Sequence, residues 1–134
     1  MTRLDPSETM RRLEAAVVEA RAFFGVDPLW VTEIRAEGAG TGAARIDASP
    51  AYLKAPIGVD LDYYQYNPEK IRRDMAHEIA HLITAEMWHL WRHLPADVQG
   101  DDTVAGKLMR DALEVATVRL ERLFLRERPE VPHG

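Results

Sequence analysis

The strongest constraint on this chain is one long helical segment that carries a fixed pattern of ligating side chains. Asn67-Pro68 reads as an N-cap followed by a first helical position, and the next helix-stopping residue is Pro95. One helix is therefore expected from Asn67 to about Leu94, and within it stand His77-Glu78-Ile79-Ala80-His81. A helix turns ~100° per residue, so the two histidines share a face about one turn apart. That spacing lets two imidazole nitrogens meet one zinc ion at ~2.0–2.1 Å. Glu78 points about a quarter-turn away, beside the ion rather than on it, where it can take a proton from a metal-bound water. Ile79, Ala80, Leu82 and Ile83 are expected to anchor the helix in the core.

Any ion held here must be held by nitrogen and oxygen, because the 134 residues include no cysteine. The same absence excludes a disulfide scaffold, a thiol nucleophile and an iron–sulfur cluster. A hydrophobic content of 46% supports a packed core, and the length fits one domain over residues 1–134. The net charge of −5 argues against a nucleic-acid partner. Arg72 and Arg73, and likewise Arg119, Arg122, Arg126 and Arg128, are interleaved with acids at helical spacing and read as solvated faces. No apolar run approaches the ~18 residues that span a membrane. Met1 to Met10 is polar and acidic, unlike a secretory signal, so a cytoplasmic location is expected. The oligomeric state stays open.

The flanking segments predict an α+β chain. Asp5-Pro6-Ser7-Glu8 marks a helix start, with Asp5 as N-cap, Pro6 at the first position and Glu8 closing a capping box. Met10, Leu13, Val17, Ala20 and Phe24 then form one apolar stripe, ended by Gly25 and Asp27-Pro28. Leu29 to Glu37 alternates apolar and polar residues as a strand does. The glycine-rich run 38–42 reads as a flexible hairpin leading to a short strand at Ala43 to Ala48. It lacks the Lys-Ser/Thr of a phosphate-binding loop. A third strand is expected at Ala55 to Leu61, where Pro56 and Gly58 point to a sheet edge. Asp101-Asp102-Thr103 caps a last helix to about Arg126.

A catalytic zinc needs a third protein ligand and an open position for water. His89 and His93 lie ~120° and ~160° around the helix from His77 and cannot join it without a break. Glu114 on the last helix is the better candidate, because Ala112 and Ala116 beside it would let that helix approach closely. Asp111, Glu121, His89 and His93 remain alternatives. Glu114 also shares a polar stripe with Lys107, Arg110, Asp111 and Glu121, as a solvent-facing residue would.

The arrangement resembles the gluzincins, especially the minimal forms known as minigluzincins and similar phage-encoded zincin-like proteins. The likeness spans about residues 29–125, and its specific part is His77-Glu78-x-x-His81. A metzincin is excluded, since that pattern requires glycine and histidine where this chain has Thr84 and Met87. The resemblance implies a minimal zincin-like fold: an N-terminal helix, a small, mostly antiparallel sheet of about three strands with an edge strand, the motif helix and a C-terminal helix. It implies Zn²⁺ bound by His77, His81 and Glu114, with Glu78 as general base of a metalloendopeptidase. A peptide substrate would pair with the exposed edge strand, expected at 55–61, although Pro56 and Gly58 can equally serve to protect an edge from aggregation. Larger gluzincins carry an aspartate four residues after the ligand glutamate; here that position is Val118. Tyr63, Tyr64, Tyr66, His89 and His93 are candidate donors to the tetrahedral oxyanion. The alternatives are a zinc-binding structural or interaction module of phage or mobile-element type, and a latent enzyme whose tail, Arg126 to Gly134, folds into the cleft.

Overall fold

The computed structural model describes residues 3–37, 42–92 and 103–130, with Glu86 described in its backbone alone. Helix α1, Pro6–Phe24, starts where Asp5 accepts a hydrogen bond from the Glu8 amide at 2.9 Å. The reciprocal half of the capping box does not form, because the Glu8 carboxylate is taken by Arg11 and Arg12. Gly25 ends the helix in the left-handed region at φ 63°, which suits a residue without a Cβ.

Three short strands follow: β1 (Val31–Arg35), β2 (Ala44–Ile46) and β3 (Lys54–Val59). Their spatial order is β1-β3-β2, with β1 parallel and β2 antiparallel to β3. The sheet is thus mixed rather than mostly antiparallel, and β1 and β2 are not hairpin partners. Of the run 38–42 expected to join them, residues 38–41 lie outside the described residues. The expected edge strand is also corrected: most of 55–61 forms β3, the centre of the sheet, and Leu61 begins the next helix. Pairing decides this placement. β3 bonds to β1 along one side and to β2 along the other, and its Ala55, Ile57 and Val59 are fully buried in the core. Pro56 is tolerated because it faces Asp47, just past the end of β2. Its carbonyl accepts from the Asp47 amide at 3.0 Å, so the donor it lacks is missed only at the ladder's margin.

Asp60 caps the short helix α2, Leu61–Tyr66, accepting from the Tyr63 amide at 3.1 Å. A single 3₁₀ turn, Pro68–Lys70, leads into the motif helix α3, Ile71–Trp91. Helix α4, Val104–Glu127, is capped by Thr103, whose hydroxyl accepts from the Gly106 amide at 2.9 Å. Helix α3 lies at the centre of the molecule, packed on α1, α4 and β2. Its Ile71, Met75, Ala76, Ile79 and Leu82 join the core formed by Leu13, Val17 and Ala20 of α1 and by β3. Ile83, expected in that core, is 40% exposed on the far side of the helix. Ala112 is exposed as well, and the buried positions of α4 are Gly106, Thr117 and Phe124.

Phe124 anchors the far end of α4. Its ring meets Phe23 edge-on at 5.3 Å, and the Arg72 guanidinium stacks over it at 4.5 Å while also pairing with Glu19 of α1. Phe124→Ala should therefore cost about 3–5 kcal/mol of unfolding free energy, read from urea denaturation. A loss below about 1 kcal/mol would mean that α4 is docked by other contacts.

Candidate metal centre

Helix α3 brings the His77 and His81 rings to 4.9 Å between centroids, nearly perpendicular at 82°. Helix α4 supplies Glu114 opposite them. One Glu114 oxygen lies 3.6 Å from His77 Nε2 and the other 3.9 Å from His81 Nε2. A ligand atom from each of the three residues falls within 4.8 Å of the other two. Two ligands of a tetrahedral zinc stand about 3.3 Å apart, as bond lengths near 2.0–2.1 Å require. The three groups are thus slightly too far apart to hydrogen-bond and close to the spacing at which they would share an ion. The donor set, two imidazoles and a carboxylate, fits Zn²⁺ and leaves a fourth position for solvent.

The tautomers favour the same direction. His77 Nδ1 lies 3.1 Å from the Glu121 carboxylate. A carboxylate oxygen accepts, so this contact suits an Nδ1–H tautomer that leaves Nε2 facing Glu114. His81 Nδ1 lies 3.5 Å from the Thr117 hydroxyl, which donates to the Leu113 carbonyl at 2.9 Å and is left to accept from the ring. Burial pushes the His81 pKa down, with His77 adding in the same direction and Glu114 opposing, which favours the neutral form that a metal ligand requires.

Glu114, Thr117 and Glu121 are spaced three and four apart, so one face of α4 provides a carboxylate toward the site and a support for each histidine. Glu121 had stood as an alternative ligand; the structure places it behind His77 instead. The carboxylate beside His77 thus comes from position 121, about one turn after Val118. The spacing was present in the sequence, but nothing local distinguished a supporting acid from a solvent-facing one. Asp111 faces away, into a groove lined by Ile83 and Met87. His89 is outside the cluster, and His93 lies outside the described residues. Glu121→Ala should weaken zinc binding by about 10–100-fold, the usual effect of removing a histidine's outer partner. Competition against a chromogenic chelator would measure this, and an unchanged affinity would deny Glu121 that role.

Glu78 sits beside the cluster. Its carboxylate accepts a hydrogen bond from the Ile46 amide of β2 at 3.0 Å. Burial pushes its pKa up to about 7 against the lowering effects of that bond and of His77, with Asp74 and Glu114 adding to the rise. β2 is therefore the sheet edge next to the motif. Ala43 and Asp47 bond toward β3, so the alternating Ala44 and Ile46 direct their amides and carbonyls outward, toward α3.

These residues border an open cleft of about 570 Å³, with β2 as one wall, α4 as the other, and His81, Thr84, Ala85 and Trp88 of α3 as the floor. The tyrosines suggested as oxyanion donors are elsewhere. Tyr64 is buried and donates to Asp74 at 2.8 Å, Tyr63 packs against it, and Tyr66 contacts Arg3 on the surface. His89 does not line the cleft either; Arg45, Arg92 and Arg110 do. The described part of the tail runs away from it, with Pro129 and Glu130 beside Ala15 and Arg72. Among the described residues, no helix is long and apolar enough to cross a membrane. Comparison with protein-family models, curated proteins and solved structures yields no match to this chain.

Proposed function

We propose that this chain is a zinc-dependent metalloendopeptidase of minimal gluzincin type. The observation that carries the reading is the convergence of His77 Nε2, His81 Nε2 and both Glu114 oxygens on one point, with Glu78 alongside in an open cleft. His77, His81 and Glu114 would hold Zn²⁺, which supplies a Lewis acid and lowers the pKa of a water molecule. Glu78 takes a proton from the attacking water and delivers it to the leaving amine. Burial raises its proton affinity toward neutrality, which suits a group that must both accept and release a proton near pH 7. The amide and carbonyl of Ala44 and the carbonyl of Ile46 offer an extended peptide a strand edge to pair with, in place of the 55–61 segment, while the Ile46 amide stays with Glu78.

A purely structural zinc site would call for a fourth protein ligand and has no need of a base. Among the described residues the cluster holds three ligands, and Glu78 stands where a base belongs. The test is metal analysis of the purified protein together with hydrolysis of an unfolded protein substrate. Stoichiometric zinc and cleavage abolished by a chelator and restored by Zn²⁺ are expected. Zinc without cleavage would leave the structural reading, and absence of zinc would overturn both.

A further inference from the structure

Glu114, Thr117 and Glu121 occupy one side of α4; another side of the same helix is apolar and exposed. With α3 it forms an open groove of about 720 Å³. Leu108, Val115 and Leu123 of α4 line it together with Ile83 and Met87 of α3, and all of them are exposed, Met87 at 55% and Leu108 at 64%. The small side chains of Ala112 and Ala116 leave room there for another helix to come close. Two charged residues share this face. Asp111 stands four residues before Val115 and Arg119 four residues after it, each about 40° around the helix from Val115, and both are exposed. The placement is symmetric in position and opposite in charge. When two such helices lie antiparallel with Val115 on a two-fold axis, each residue stands level with the one equally far beyond Val115 in the mate. Asp111 then meets Arg119 of the second copy, and Arg119 meets its Asp111. A parallel pair would set Asp111 against Asp111 and Arg119 against Arg119, which repel.

We infer that a second copy of this chain docks on the groove, α4 against α4 and antiparallel, with Val115 at the two-fold axis and an Asp111–Arg119 ion pair on each side. From Leu108 to Leu123 the face runs about 22 Å, and two helices ~10 Å across give it roughly 400 Å² per copy. That equals the largest apolar patch of an ordinary monomer, and the pair buries roughly 800 Å², at the low end for specific interfaces. The dimer is accordingly reversible, with Kd in the micromolar range. It goes beyond the peptidase reading and does not rest on it. Among the described residues the cleft and the groove share only Thr84, so each copy keeps its own cleft accessible.

Sedimentation velocity from about 1 to about 500 µM, in chelator so that no ion bridges two copies, should show wild-type protein passing from monomer to dimer. D111R and R119D each bring like charges together at both ends of the interface and should raise Kd at least about tenfold. D111R/R119D restores opposite charges within one dimer, and mixing D111R with R119D restores them between two chains. Both pairings should return Kd to within about threefold of wild type. Thermal melts confirm that each variant is folded. Protein that stays monomeric throughout, which would leave the groove to a different partner, would overturn the inference. So would a dimer indifferent to both single changes, or a loss that the two pairings fail to recover.

Discussion

Glu78→Gln is expected to lower kcat by about 10²–10⁴-fold while leaving zinc content unchanged. Glutamine keeps the size of the side chain and can still accept the Ile46 amide, so the link between α3 and β2 survives. What disappears is the proton acceptor. Because burial raises the carboxylate's pKa to about 7, the base form is lost as pH falls through that region. A cation on His77, His81 and Glu114 would pull the pKa down again, so kcat/KM of the zinc enzyme should rise with pH to a plateau, with its midpoint at or below about 7. The metal-free protein should show the same group in its stability. Its folded pKa lies above the ordinary 4.5, so between pH 4.5 and 7 the folded state binds more protons than the unfolded state, and stability falls as pH rises. Urea denaturation of chelator-treated protein at pH 5 and pH 8 should show this fall in wild type and a smaller one in Glu78→Gln. A variant that kept full proteolytic activity would remove Glu78 from the chemistry.

Much of this was legible in the sequence because it is encoded locally. The caps at Asp5 and Thr103, the stop at Gly25 and the shared face of His77 and His81 each depend on residues within about one helical turn. The strand order was not local. Pro56 and Gly58 pointed to an edge, but β3 carries Ala55, Ile57 and Val59 into the core and pairs with a strand on each side. The cost that Pro56 would impose in mid-ladder was escaped because β2 is only three residues long and ends before reaching it. For the same reason the edge facing the motif is β2 and not the segment that looked like an edge. Glu121 illustrates a second limit. Its residue type was compatible with a ligand, a supporting acid or a solvated charge, and only the rotation of α4 against α3 placed its carboxylate behind Nδ1 of His77.

The rotation of α4 also makes Glu114 the most informative residue to remove. His77→Ala and His81→Ala should abolish zinc binding, but both side chains are less exposed than Glu114, and His77 is tied to Glu121, so a loss of fold would blur the result. The Glu114 side chain is 56% exposed and, among the described residues, its polar contacts are its approaches to the two histidines. Truncating it should leave the metal-free protein within about 0.5 kcal/mol of wild type, as for an ordinary surface substitution. The zinc-loaded forms should then diverge. An ion at a free concentration 1,000 times its Kd stabilises the folded state by about 4 kcal/mol. Glu114→Ala should lose most of that increment, because only the carboxylate carries the coordination from α3 across to α4. Denaturation with and without added Zn²⁺ separates the two contributions directly. If Glu114→Ala kept the wild-type zinc increment while His81→Ala lost it, the motif would still bind the ion and the third ligand would have to come from elsewhere than this face of α4.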